Sequence, residues 1–388
     1  MGQAYSGLGL YQPAEDLLRL ARADQSASSV PAESRIRTLI ASGDTMQLAG
    51  QYDEAVMELS RAVELARSSL SPSNELRSKA LTSYAEALAQ IEKFPQAISA
   101  CLEALAADRK RGPTGDEVLA ATLASVGAVY LYSGDFAAAE APMKESLDIR
   151  QRIFGMHHAL TARSLNSLAA FFYQSGKYDE AASLYTQALP IYREIYGPEH
   201  PEVASIENNL GRSTLVAGHV DEAEPLLRQA LATFQKFQSN DFEALVAPLN
   251  SLAMIDAYRG RTEAAASEIK RAESIARLPD QGELLDQVLL NEADIELSQG
   301  NRERAATLLA ESKALLEKAH PPELVNAWRY AVWDLVNVQL LASSGDTVSA
   351  ANDCLADTKI LEQRFGKTGF YSLLAKRRTQ FIASSRPI

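Results

Sequence analysis

Three asparagines, Asn166, Asn208 and Asn250, stand 42 residues apart along this chain. A side-chain amide offers a donor and an acceptor, so a row of amides can pair with any peptide unit, whatever side chain that unit carries. Asparagine is a mediocre helix former, and three in register inside helices ask for a reason. The adjoining slot holds Ser83, Ser125, Ser167, Asn209 and Ser251 at the same step. At helical spacing from the asparagines, one face presents Arg163, Tyr173, Arg212, Met254 and Tyr258. Arginines beside an amide row suit a carboxylate-bearing peptide. Two readings stay open: the row touches a ligand, or it bonds neighbouring helices and holds them together. The serines fit the second.

Other chemistry finds less support. His157 and His158 lie in "FGMHHAL" and His200 in "YGPEHPEV", with His158 and His200 also 42 apart. A histidine just ahead of a helix can bond to backbone, and sites one repeat apart do not converge on a metal. Cys101 and Cys354 lack CxxC spacing and read as small core residues rather than a zinc site, a disulfide or nucleophiles. No GxSxG, HExxH or glycine-rich phosphate loop occurs. No catalytic, metal or cofactor-binding residue is expected.

Composition sets the frame. The 388 residues are 46% hydrophobic and carry a net charge of −12. An acidic chain argues against a nucleic-acid partner, which needs a basic surface. No apolar run approaches the roughly 18 residues of a membrane span, and the N-terminus has no basic region leading into an apolar block. The few cysteines fit a reducing, cytoplasmic setting.

The chain echoes itself. The pattern glycine, any residue, aromatic, two more, alanine appears in "GQYDEA" from Gly50, "GDFAAA" from Gly134 and "GKYDEA" from Gly176. Weaker copies start at Gly9, Glu92, Gly218, Gly260, Gly300 and Gly345, with steps of 40 to 45 and mostly 42. Five residues after each start stands an alanine: Ala14, Ala55, Ala97, Ala139, Ala181, Ala223, Ala265, Ala305 and Ala350. Seven before it stands a second small residue: Gly2, Gly43, Ala85, Gly127, Ala169, Gly211, Ala253 and Ala293, with Val338 breaking the series. Apolar stripes such as Leu165, Leu168 and Phe172 flank the turn at helical spacing. Two small series at one helix crossing describe a helix–turn–helix hairpin that buries its face only when stacked on copies of itself.

These units resemble tetratricopeptide repeats, in the long form of kinesin light chains and their bacterial relatives. The resemblance covers residues 1 to about 365. It implies an all-α, right-handed α-α superhelical solenoid in which first helices line a concave groove. It also implies that groove asparagines, with Asn208-Asn209 as the paired form, contact the backbone of an extended peptide. The domains expected are a repeat array over 1–369, with a partial first repeat over 1–30 and about eight repeats after it, and a capping helix and tail over 370–388. In "RFGKTGFYSLLAKRRTQFIASSRPI", Phe370, Leu373, Leu374 and Phe381 are expected to pack on the last hairpin while Lys376, Arg377 and Arg378 face water.

Met1 falls inside what would be the first helix of a hairpin, so the array is expected to continue upstream of a C-terminal piece, a truncated first hairpin being the alternative. "MGQAYS" fits an N-myristoylation pattern, although the repeat already accounts for Gly2. The function expected is a non-catalytic scaffold for a protein or extended peptide, without nucleic-acid binding or membrane insertion. The alternative is the sensor region of a larger signalling protein, following a kinase or DNA-binding domain.

Overall fold

Seven of the recurring turn positions share one backbone geometry. Gly50, Gly134, Gly176, Gly218, Gly260 and Gly300 all have φ between 74° and 101°, and Glu92 has φ 59°. At each, the turn residue's N–H reaches back three residues and the next N–H reaches back five, as in Gly50 N to Gln47 O and Gln51 N to Met46 O. This double bond closes the carbonyl end of a helix and reverses the chain, which requires the left-handed region at the turn residue. Glycine enters it without steric cost; Glu92 does not.

The computed structural model describes residues 11–24, 30–237, 243–278, 284–319, 327–343 and 347–384. Gly2, Tyr5, the turns at Gly9 and Gly345 and the "MGQAYS" stretch lie outside the described residues, as does the Phe381 side chain. Eighteen α-helices follow in order: α1 (Tyr11–Asp24), α2 (Ala32–Leu48), α3 (Tyr52–Ser69), α4 (Glu75–Gln90), α5 (Phe94–Asp108), α6 (Asp116–Tyr132), α7 (Phe136–Phe154), α8 (Ala159–Gln174), α9 (Tyr178–Tyr196), α10 (Pro201–Ala217), α11 (Val220–Lys236), α12 (Glu243–Tyr258), α13 (Thr262–Ala276), α14 (Leu285–Ser298), α15 (Arg302–Ala319), α16 (Ala327–Ser343), α17 (Thr347–Phe365) and α18 (Phe370–Ser384). No strand occurs among the described residues. The protein is all-α, a tetratricopeptide-like solenoid of consecutive hairpins, α2–α3 through α16–α17.

The small residues sit where close approach demands them. All nine alanines of the series five after the turn are 0% exposed. The glycines seven before the turn face the side chain nine after it. A Cβ on Gly43 would stand 2.4 Å from Leu59 Cγ, and one on Gly127 would stand 2.4 Å from Met143 Cγ and 3.4 Å from the Ala139 carbonyl oxygen. The two series thus act together: alanine lets the backbones meet, and glycine makes room for the large residue beyond it. Where the series seven before the turn grows to Val338, the facing slot shrinks to Cys354, and both are buried in one cluster.

Helix starts in the linkers are capped at the same step. Asn74, His158 and His200 each accept a backbone N–H two residues on, at 2.9, 3.2 and 3.2 Å. His158 stacks on Phe154 and His200 on Tyr196, with ring centroids 4.4 and 4.9 Å apart. These histidines serve as N-caps.

The chain forms two compact units, Met1–Phe171 and Phe172–Ile388, with the boundary inside α8. In the first, α2 to α7 stack as hairpins around a core that includes Ile36, Leu81 and Leu88. In the second, α10, α12, α14 and α16 touch in succession, and α18 touches both α16 and α10. The last helix therefore spans the row of first helices and joins its ends. One face of α18 packs on the last hairpin through Ala375 and Ile382, whereas Phe370 and Leu374, expected there, pack elsewhere. Arg377 is exposed, as expected, but much of the helix's other face is covered. Phe370 is buried against Leu215, Leu252 and Ile255, and Arg378 is buried and ion-paired with Asp294.

Candidate functional site

The first helices carry the predicted row, and the two units use it differently. In the first unit, the serine slot bonds to an acid on the preceding first helix. Ser125 donates to Glu86, and Ser83 lies against Asp44. Burial is the leading cause that pushes both carboxyls above the usual carboxylate range. These serines hold neighbouring repeats together. Arg163 is exposed in this unit, close enough to Glu86 and to the buried Arg150 to influence both. Asn166 is half-buried, and its Oδ1 is buried without a hydrogen-bond partner.

The other seven predicted residues lie in the second unit. Asn208 is buried on α10, its Nδ2 at 3.5 Å from Asn209 Oδ1 and its own Oδ1 unpartnered. Asn250, one repeat on in α12, is also buried, but its Oδ1 accepts from Asn291 Nδ2 at 2.8 Å. Arg212 stands over the Tyr173 ring, 5.3 Å from its centroid, with Nη2 3.4 Å from the phenol oxygen. Met254 and Tyr258 line a cavity of about 270 Å³ together with Asn291, Asp294, Tyr371 and Arg378.

Asn250 thus joins two repeats, and Asn208 does not. The serine slot that runs to Ser251 continues beyond it. One unit further, at a repeat shortened to 40 residues, that slot holds Asn291. Asp294 occupies the slot of Arg212 and Met254 in the same way.

The C-terminal segment covers much of this face. Arg364 donates to the Gln174 carbonyl at 2.6 Å and lies over the Tyr178 and Trp328 rings. Phe365 stacks on Tyr178 with centroids 5.5 Å apart. Phe370 packs on Tyr258 at 5.4 Å, and Arg377 donates to the Tyr258 carbonyl at 2.8 Å while standing 5.0 Å over its ring. Tyr371 lies among Tyr173, Tyr178, Arg212 and Arg329, and burial leads the causes that push its hydroxyl pKa up.

Nothing in this arrangement resembles a nucleophile. Burial pushes the Cys101 thiol up to about 12, so it stays protonated. Cys354 is likewise shifted up by burial and lies 3.1 Å from Thr379 Oγ1. No group of histidine, cysteine and acid side chains that could hold a metal occurs among the described residues. No helix is long and apolar enough to cross a membrane among them.

A search of curated proteins returns no match. Among solved structures, a Rap protein complexed with competence and sporulation factor has a similar fold, at 13% identity and a TM-score of 0.56, over 91% of this chain and 98% of that one. The apo quorum sensor NprR from B. thuringiensis is similar at 14% identity and a TM-score of 0.57, over 81% of this chain and 86% of its own. The repeats of a putative kinesin light chain from Podosopora anserina match at 21% identity and a TM-score of 0.46, over 54% of this chain and 99% of that chain. Folds of this class are generally non-catalytic scaffolds for protein interaction. The family model for the tetratricopeptide repeat matches residues 34–110, 117–194 and 165–236. With the left-handed turns, the buried alanine series and this family match, the chain belongs to the tetratricopeptide-repeat family.

Proposed function

We propose that this protein is a non-catalytic scaffold that binds a protein or an extended peptide against the face of its first helices. The observation that carries this reading is a buried amide oxygen on a first helix of each unit, Asn166 in the first and Asn208 in the second, neither of which accepts a hydrogen bond. A buried acceptor left unpaired costs about 1–3 kcal/mol. A peptide N–H laid along the face would satisfy it, and the amide's other end would accept no preference for side chain. Arg163, exposed in the first unit, would meet a carboxylate of the partner. Asn250 has its hydrogen bond to Asn291 and belongs to the mortar instead. The same binding face would serve equally in a regulatory or sensor region.

The test is selection of displayed peptides on the full chain, followed by titration of the enriched peptides against Asn166→Ala and Asn208→Ala. Each lost hydrogen bond is worth about 0.5–1.5 kcal/mol. The double variant should bind roughly tenfold or more weakly with its melting temperature held or raised, since alanine is the better helix former. Unchanged affinity in the double variant would remove the amide row from the binding site.

A further inference from the structure

In the second unit the binding face already holds a guest. Four contacts seat the segment from Arg364 to Arg378 there: Arg364 on the Gln174 carbonyl, Phe365 on Tyr178, Phe370 on Tyr258, and Arg377 on the carbonyl and ring of Tyr258. The partners are 119 and 190 residues away in sequence for the two arginine–carbonyl bonds. The loop before α18 rests on a repeat turn: a Cβ on Gly218 would stand 2.0 Å from the Thr368 carbonyl oxygen. By contrast, nothing lies within 4 Å of the same position on Gly50, Gly134, Gly260 or Gly300.

The seat of the guest is not fully closed. Ser372 Oγ and Arg378 Nη1, both on α18, are buried without hydrogen-bond partners. The cavity of about 270 Å³ lies between this helix and Met254, Asn291 and Asp294. A helix docked over an unfilled cavity with unsatisfied polar atoms opens before the hairpins around it do. Its chemistry also fits the host. The chain is acidic overall, and the docked face presents Phe370, Leu374, Arg377 and Arg378 at helical spacing toward aromatic rings, carbonyls and Asp294.

Resting on the partner-binding reading above, we propose that Arg364–Arg378 is an internal occupant of the second unit's face. The partner it stands in for is a cationic amphipathic helix with an aromatic residue seven positions ahead of an arginine. The partner and the segment then exclude one another, and release of α18 is the step that admits the partner.

The probe is a fluorescein-labelled synthetic peptide of residues 370–384, which lacks Thr368, titrated into the full chain as wild type, Gly218→Ala and Gly260→Ala. Both substitutions strain a left-handed turn, but only the first meets Thr368. Gly218→Ala should bind the peptide at least tenfold more tightly than the other two proteins, and its α18 amides alone should lose hydrogen-exchange protection. Should Gly218→Ala not fold, Arg364→Ala with Arg377→Ala removes the handles without touching the backbone and should give the same gain. In the wild type, α18 amides should exchange at least tenfold faster than those of α10 and α12. Equal peptide affinity across the variants, no binding to any of them, or α18 amides as protected as those of α10 would overturn the proposal. Release of α18 without a gain in peptide affinity would refute the occupant alone, because the partner-binding reading is tested separately by the displayed-peptide selection and the Asn166→Ala and Asn208→Ala variants.

Discussion

Two contacts within the second unit, the α10–α11 crossing and the seat of α18, are built on opposite principles. At the crossing, Gly211, Ala223 and Leu227 meet by shape alone. A Cβ on Gly211 would stand 2.8 Å from Leu227 Cγ, and neither Ala223 nor Leu227 has any exposed surface. At the seat of α18, arginines reach carbonyls and rings, two polar atoms are buried without partners, and a cavity remains. Shape complementarity gives no alternative state to move to, while polar handles around a loose fit can be exchanged for another guest's. The unit therefore combines a rigid frame with a releasable element.

The sharpest way to break this contrast is to shorten one leucine from each contact. Leu227 fills the room that Gly211 leaves, so Leu227→Ala should cost about 2–5 kcal/mol through lost burial and a new void. Leu374 is only half-buried and already lines the cavity. Leu374→Ala should cost less than about 1 kcal/mol on the same bookkeeping, since no tight wall collapses. Denaturant midpoints of the two variants decide it, and equal losses would mean that α18 is as well fitted as the crossing.

Next in size is overpacking. Ala181 is fully buried at the crossing position of its hairpin. Ala181→Leu should cost about 1–3 kcal/mol and lower the melting temperature. An unchanged melting curve would show that the crossing yields, and the frame would not be rigid in the sense used above.

A smaller effect separates the regions by pH. Burial pushes Glu268 on α13 up to about 7, with Asp256 adding to the shift, and Glu292 on α14 up to about 7, with Glu273 adding to it. Their folded pKa values lie above the unfolded value, so the folded chain holds these protons over a window where the unfolded chain has lost them. Stability is therefore fully present below about 4.5 and is lost as pH rises toward 7. The arginines that seat α18 do not titrate in that window. Melting temperature should fall by a few degrees between pH 5.5 and 8, and Glu268→Gln with Glu292→Gln should flatten the curve. An unchanged slope in the double variant would place the pH dependence elsewhere.

What the sequence disclosed follows the same division. The turns and crossings were legible because each is local: a left-handed residue, an alanine five on, a small residue seven back. The histidine caps were legible for the same reason. The seat of α18 was not, because its arginine–carbonyl partners lie 119 and 190 residues away, and its two faces are both partly apolar. Within the run of Lys376, Arg377 and Arg378, Arg377 stays exposed while touching a ring and a carbonyl, and Arg378 is received by Asp294. The amide row was half legible. Its spacing marked the face, but only the coordinates separate Asn250, bonded to Asn291, from Asn166 and Asn208, whose oxygens have no partner.

The smallest expected effect lies in the one described turn of the recurring set that lacks glycine. Glu92 adopts φ 59° and makes the same two backbone bonds as its glycine counterparts, Glu92 N to Ala89 O and Lys93 N to Leu88 O. An L-residue in the left-handed region crowds its Cβ against the following carbonyl, at about 1–2 kcal/mol. Glycine removes that crowding but enlarges the unfolded ensemble, which takes back roughly 0.4–1 kcal/mol. Glu92→Gly should therefore stabilise the protein by about 0.5–1 kcal/mol. That is small against the crossings on either side of it, where Ala85 and Ala97 are fully buried. The measurement is the denaturant midpoint of Glu92→Gly against Glu92→Ala, which keeps the strain and drops the side chain. If alanine gains as much as glycine, the Glu92 side chain rather than its backbone sets the cost. If glycine alone gains, the frame is shown to be rigid enough to hold a residue in a conformation it does not prefer, because the crossings beside the turn outweigh it.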